Sequence, residues 1–161
     1  VFDWDRSIGD WRETNQVDDG VRLRTLNAPT FGPDDSEAVL AVSTSYEIRV
    51  EDLDAKFPSL PRLVLSSPPP LTADRFWSLE KQSAYVVTIR DAIQRLTAAG
   101  VKRIHMVLAA PSSLSLRIGM AYDRRLSAEL VVYQYERRLA PPYPWGILLP
   151  SASVPVPSVV R

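Results

Sequence analysis

The sequence predicts an α/β fold, a mostly parallel sheet flanked by helices, and three observations carry that reading. Glu37–Val42 (EAVLAV), Arg62–Leu65 (RLVL) and Ile104–Leu108 (IHMVL) are strand-length apolar runs with almost no polar alternation. Runs of this kind belong to strands covered on both faces, the condition of a parallel sheet. Residues 72–99 then carry one apolar stripe, Leu79, Val86, Ile89, Ile93 and Leu96, at three- and four-residue steps. Lys81, Gln82, Arg90, Asp91, Gln94 and Arg95 fall on the other side, so the segment reads as a long amphipathic crossover helix. Finally, Val101–Tyr135 reads as strand, turn, helix and strand, a βαβ unit whose strands are parallel.

The 161 residues suit one domain, with a folded core over 20–150. A 45% hydrophobic and 24% charged composition is that of a globular chain, neither disordered nor coiled-coil. Nineteen basic and nineteen acidic residues cancel, so no bulk field steers the chain to long nucleic acid or to an anionic membrane. The absence of cysteine excludes disulfide scaffolds, thiolate nucleophiles and Cys-ligated zinc, and fits a cytoplasmic protein. No run of about 18 apolar residues spans a membrane, and no basic-then-apolar leader is visible. The chain begins at Val1 rather than Met, which with its tail suggests a segment of a longer polypeptide.

In chain order, the first nineteen residues hold Trp4 and Trp11 among charged residues. Tryptophan in such a setting is expected to pack down on a neighbouring surface, or for one indole to stack on a ligand base. Val21, Leu23, Thr25 and Leu26 form a short strand with Arg22 and Arg24 on its alternate face, and Asn27–Asp35 is a loop marked by Pro29, Gly32 and Pro33. The 37–42 strand ends in Ser43-Thr44-Ser45. A short helix follows within Tyr46–Phe57, starting near Val50, before Pro58. The 62–65 strand ends in Ser66-Ser67-Pro68-Pro69-Pro70. The long helix closes at Gly100, a C-cap candidate.

After the 104–108 strand, the chain breaks at Ala110-Pro111-Ser112-Ser113 and resumes with Leu114, Ile118, Ala121 and Tyr122 at helical spacing. Pro111 fits the first helical turn, where its missing N–H would have no intrahelical partner. Leu130–Tyr135 is the second strand of the unit. A proline-rich loop, Ala140–Trp145, leads to an edge strand at Gly146–Leu149, and residues 151–161 lack periodicity and read as a mobile tail.

Three buried-type strands thus each end in a serine-rich turn. In open α/β sheets ligands gather at the carboxyl ends of strands, and a helix start there favours anionic or polar groups. Serine is also a common turn residue, and capping accounts for it equally well. Arg117, one turn into the helix after Pro111, reaches a phosphate there if it faces the sheet edge, and is otherwise an exposed charge.

The only histidine, His105, lies inside a strand and is assigned a structural role. A Ser-His-Asp triad would have to use it, and no nucleophile elbow, Walker loop, dinucleotide glycine turn or HExxH pair occurs. The carboxylate pairs Asp18-Asp19, Asp34-Asp35 and Glu51-Asp52 are explained by solvation or capping, so no metal and no cofactor is predicted. The equipment is that of a binding site.

The run IHMVLAAPSSLSLRIGMAYDRRLSAELVVYQYE resembles the closing signature of SAVED domains, a strand of the form I-H-L-F followed by an A-x-P-containing helix with a late glycine and a strand ending in tyrosine. Matching positions are Ile104, His105, Ala110, Pro111, Gly119 and Tyr133–Glu136. The strand end at Ser43-Thr44-Ser45, with Ile48, is similar to the family's V-S-x-S-x-x-I. The resemblance spans about Glu37 to Glu136 and is nearest the C-terminal of the two halves such modules usually contain.

The resemblance implies a Rossmann-like, CARF-like sensor of the bacterial cytoplasm. Its ligand would be a cyclic di-, tri- or tetranucleotide messenger of CBASS- or CRISPR-type anti-phage defence. It also implies a nuclease, TIR or protease effector, fused or associated, and a possible homo-oligomer. The residues expected to hold the ligand are Ser43, Thr44, Ser45, Ser66, Ser67, Pro111, Ser112, Ser113 and Arg117, with Tyr46 and Tyr135 stacking on bases. Two other readings remain: an enzyme degrading the messenger through Ser112 and His105, and a protein-interaction domain without a nucleotide ligand.

Overall fold

Four parallel strands form the centre of the sheet. The computed structural model describes residues 2–5, 8–32, 34–72 and 76–161, without the Asp3 side chain. Pro33, residues 73–75 of the expected helix start, and Val1, Arg6 and Ser7 of the N-terminal segment lie outside the described residues. The described strands are β1 (Phe2–Asp5), β2 (Asp10–Glu13), β3 (Arg24–Asn27), β4 (Glu37–Ser43), β5 (Arg62–Ser66), β6 (Arg103–Ala109), β7 (Glu129–Tyr133), β8 (Gly146–Leu148) and β9 (Ser158–Val160). The helices are α1 (Val50–Lys56), α2 (Leu79–Ala98) and α3 (Ser112–Ala121). Strands β3–β9 make one mixed sheet in the order β3-β5-β4-β6-β7-β8-β9, with β5, β4, β6 and β7 parallel and β3, β8 and β9 antiparallel to their neighbours.

Burial explains why β4 is apolar throughout. Its Leu40 and Val42 face a core made with α2 and α3, alongside Ile104, Met106, Leu130 and Ile89, while Val39 and Ala41 face a second core with Leu53, Phe57, Val107 and Tyr143. Alternate residues of one strand therefore meet helices on opposite sides, and no polar alternation survives. The α2 stripe is buried at Ile89, Ile93 and Leu96. Its end is a Schellman motif around Gly100, whose φ of 98° is left-handed: Val101 N–H donates to Leu96 and Gly100 N–H to Thr97.

Several expectations need correction. Leu79 is exposed, whereas Lys81 and Gln82, expected on the polar side, are buried beneath the first turn of α2, where both have specific partners. The strand expected over residues 21–26 is the shorter β3, an exposed edge strand with an irregular register at Thr25–Asn27. Pro111 is the N-cap of α3, just outside the helix. Strand β8 is not an edge, because part of the expected tail, Ser158–Val160, pairs beyond it. Trp4 and Trp11 face each other across the β1–β2 hairpin, both exposed, with ring centroids 5.6 Å apart in edge-to-face geometry.

Candidate functional site

The strand order reverses between β4 and β6. From β4 the chain passes through α1 to β5 on one side, then returns through α2 to β6 on the other. The carboxyl ends of β4 and β6 flank this switch point, the place where open α/β sheets leave a crevice for ligands. Ser43 stands in register with Ser66 of β5 and Ala109 of β6, so the three serine-rich strand ends lie side by side.

Most of their hydroxyls already have work within the fold. Ser43 Oγ accepts from Ile48 N–H, and Thr44 Oγ1 donates to the Ala109 carbonyl, which also receives the Thr44 and Ser45 amides. Ser66 Oγ donates to the Ser67 carbonyl, and Ser67 Oγ bonds the Tyr85 hydroxyl at 2.9 Å. Burial pushes the Tyr85 phenol above its ordinary pKa, and the Ser67 bond only partly offsets this. Ser113 Oγ, buried, accepts from Gln82 Nε2 at 2.9 Å. These groups tie the strand ends together.

Two groups stand apart. Ser45 Oγ is buried, with the residue 2% exposed, and has no hydrogen-bond partner among the described residues. Ser112 is exposed at the first position of α3, a ten-residue helix whose N-cap, Pro111, makes no side-chain cap bond. That first turn opens on the carboxyl edge close to Ser45, whose amide bonds the Ala109 carbonyl at the end of β6. Arg117, one turn further on, is half-buried, and its Nε has no partner among the described residues.

A cavity of about 720 Å³ opens beside these strand ends on the α1 side. Ser43, Tyr46, Ser66 and Ser67 line it together with Arg62 and Asn27. Tyr46 is 58% exposed at its rim, free to lay its ring on a flat ligand. Tyr135 lies past the end of β7, packed against Tyr143 with ring centroids 5.7 Å apart, and does not line this cavity.

Sequence reasoning missed Lys81 and Gln82 at this edge. Gln82 Nε2 joins the Phe76 carbonyl to Ser113, binding the starts of α2 and α3, and the Gln82 Oε1 has no partner among the described residues. The signal was available, since Gln82 interrupts the apolar stripe at the step between Leu79 and Val86. A polar residue in core register announces a buried hydrogen bond.

His105 faces the α1 side. Its Nδ1 meets the Tyr133 hydroxyl at 3.0 Å, its Nε2 meets Glu37 at 2.9 Å, and its ring packs on Phe57. Both nitrogens are engaged in the sheet interior, and Ser112 starts a helix packed on the opposite face. The pair expected for an enzymatic reading is therefore not assembled. Among the described residues no cluster of three His, Asp or Glu side chains is placed to hold a metal ion. No described helix is long and apolar enough to cross a membrane.

A family model for SAVED, described as a SMODS-associated sensor domain fused to various effectors, matches residues 1–149. That span is wider than the Glu37–Glu136 stretch carrying the sequence resemblance. Among solved structures, the Acinetobacter baumannii Cap4 SAVED/CARF-domain containing receptor with the cyclic trinucleotide 2'3'3'-cAAA is 19% identical over 81% of this chain, with a TM-score of 0.59. The same receptor with 3'3'3'-cAAA is 17% identical over 80% of this chain, with a TM-score of 0.58. A third structure of that receptor is 17% identical over 82%, with a TM-score of 0.53. This chain covers 27%, 27% and 25% of those chains respectively, so it spans about a quarter of the receptor's length. At such identities the likeness is one of fold. No curated protein matches the chain significantly.

Proposed function

Because the chain belongs to the SAVED family of sensor domains, we propose that it binds a cyclic oligonucleotide messenger at the carboxyl edge of β4 and β6 and relays that binding to an effector. The observation that carries the reading is the pairing at the switch point of Ser45, a buried hydroxyl without a partner among the described residues, with the exposed Ser112 at the start of α3. A ligand phosphate at this edge gives the Ser45 hydroxyl a partner and meets Ser112 at the positive end of the α3 dipole. Arg117 adds a cation one turn away, and Tyr46 a stacking surface over the adjoining cavity.

The backbone around Ser113 and Ser67 contributes by holding the edge rigid. Tyr135 serves a base that extends beyond β7. The relation to solved cyclic trinucleotide receptors supports a trinucleotide among the candidate ring sizes. The domain acts without catalysis of its own, in the cytoplasm where such a messenger is made. The effector, a nuclease, TIR or protease, acts from a fused or associated module, with a homo-oligomer as a route for the signal.

The test is thermal unfolding of the 161-residue chain with cyclic di-, tri- and tetranucleotides. Ligand at 100 times its dissociation constant adds about 2.7 kcal/mol, which raises the midpoint of a domain this size by roughly 5–10 °C. Ser112→Asp suits the start of a helix and preserves the fold, yet places a charge against the phosphate and removes the shift. No shift with any messenger overturns the proposal, and a shift that persists in Ser112→Asp moves the phosphate elsewhere.

A further inference from the structure

A second cavity, separate from the one lined by Tyr46, lies on the opposite face of the sheet. It is a groove of about 310 Å³ between α3 and the β7–β8 pair. Met106, Leu130, Val132, Ile118 and Leu149 form its apolar walls, and none of its lining residues carries a charge. The groove exists because α3 packs over β6 and β7 and leaves the α3 side of β8 uncovered, where Ile147 remains partly exposed.

Its mouth is at the carboxyl edge. Gln134 N–H donates to the Trp145 carbonyl just past the Tyr133–Gly146 pair, which places both residues beyond the end of β7. Across the mouth stand Leu108, near the end of β6, and Ser115, whose hydroxyl donates to Pro111 at the start of α3. The groove therefore opens one helical turn from Ser112.

Building on the sensor reading above, we propose that this groove is a base subsite that takes one purine of the ligand, with Trp145 as the stacking platform and Gln134 as the group that reads the base edge. Its volume sits at the low end of the ~300–1,000 Å³ typical of small-molecule pockets, room for one ring system and not for a whole cyclic oligonucleotide. Uncharged apolar walls exclude phosphate and ribose, which would be desolvated without partners, and accept the flat faces of a base. An indole at the mouth favours the larger ring system, and a glutamine carboxamide matches the paired donor and acceptor on a purine edge. The Gln134 amide now donates to the carbonyl of adjacent Tyr135 at 3.0 Å, a local bond that a base edge can replace.

The experiment is calorimetric titration of the chain with cyclic triadenylate and cyclic triuridylate, on the wild type, Trp145→Ala and Gly119→Leu. Gly119 lines the groove, and nothing lies within 4 Å of a Cβ added there, so leucine fills the groove while improving the helix. The wild type is expected to prefer the purine ring, and each variant to weaken triadenylate binding by about ten-fold or more while leaving triuridylate little changed. If triadenylate binds both variants as it binds the wild type, the subsite is refuted and the sensor reading stands. Loss of self-association in the variants with unchanged nucleotide affinity refutes it equally and makes the groove a protein seat. If neither nucleotide nor any other cyclic oligonucleotide binds the wild type, both proposals fall.

Discussion

Removing the carboxylate of Asp19 tests how the starting edge of α2 is held. Lys81, in the first turn of that helix, is 1% exposed, and its Nζ reaches Asp19 Oδ2 at 2.9 Å. Around the ammonium lie the rings of Phe76 and Tyr85, at 5.3 and 5.8 Å. Burial alone would raise the Asp19 pKa, but the Lys81 hydrogen bond and the Val21 amide outweigh it and hold the carboxyl below the usual carboxylate range. Breaking a buried ion pair from one side costs about 3–5 kcal/mol, because the remaining charge is left without compensation. The Asp19 side chain is 45% exposed, so water reaches the vacated position, and we expect about 2–3 kcal/mol for Asp19→Ala. That lowers the unfolding midpoint by roughly 4–12 °C. Lys81→Met keeps the aliphatic stem packed and removes the charge, and should cost no more than about 1 kcal/mol. Urea unfolding followed by circular dichroism on both variants and on the double variant gives the comparison. The reasoning is refuted if Asp19→Ala is neutral, or if Lys81→Met costs as much as Asp19→Ala.

Ser45→Ala removes a buried hydroxyl that has no partner, so stability should hold or rise by up to about 1 kcal/mol while affinity for a cyclic oligonucleotide falls; equal affinity would remove Ser45 from the site. Glu129 is bonded to Arg103 at 2.8 Å and to Ser153 at 2.9 Å, which lowers its pKa from 4.5. Its folded pKa being depressed, its contribution to stability is present above that value and lost as pH falls through the lower folded one. Glu129→Gln should therefore flatten the acid limb of a stability-against-pH curve. Gly146→Ala sets a Cβ 2.9 Å from the Val132 carbonyl oxygen, a backbone atom that cannot yield, and 2.9 Å from the side-chain Cγ1 of Val131. The expected cost is about 1–3 kcal/mol, with faster amide exchange confined to β7 and β8.

How far the sequence exposes the fold depends on how each element is buried. Strands β4, β5 and β6 and helix α1 match their expected spans to within about two residues, because burial on two faces, or a proline just beyond the end, leaves a strong local mark. The hairpin β1–β2 escaped that logic. Its alternation, Phe2-Asp3-Trp4-Asp5 against Asp10-Trp11-Arg12-Glu13, has the period of a strand, and its tryptophans meet each other across the pair while both stay exposed. The weight given to tryptophan as a docking residue hid the simpler period-two signal. Strand β9 left no mark because its three residues owe their form to pairing with β8 and are too few to show a period of their own.

The site was legible as a place and illegible as a set of bonds. Three serine-rich strand ends point to the carboxyl edge, and the switch point falls there. Yet a hydroxyl at a strand end serves the fold or a ligand according to whether a partner stands within about 3 Å, and that partner comes from elsewhere in the chain. Ser67 is bonded by Tyr85, eighteen residues away, and Ser113 by Gln82, thirty-one away. Ser45, by contrast, has no such partner among the described residues. Two α2 residues, Tyr85 and the Gln82 that the periodic stripe misassigned, are therefore the ones that separate the structural serines from the open ones. A buried polar side chain on a crossover helix is the feature to look for in related chains, since it identifies which strand-end hydroxyls are already engaged and so, by subtraction, which remain for a ligand.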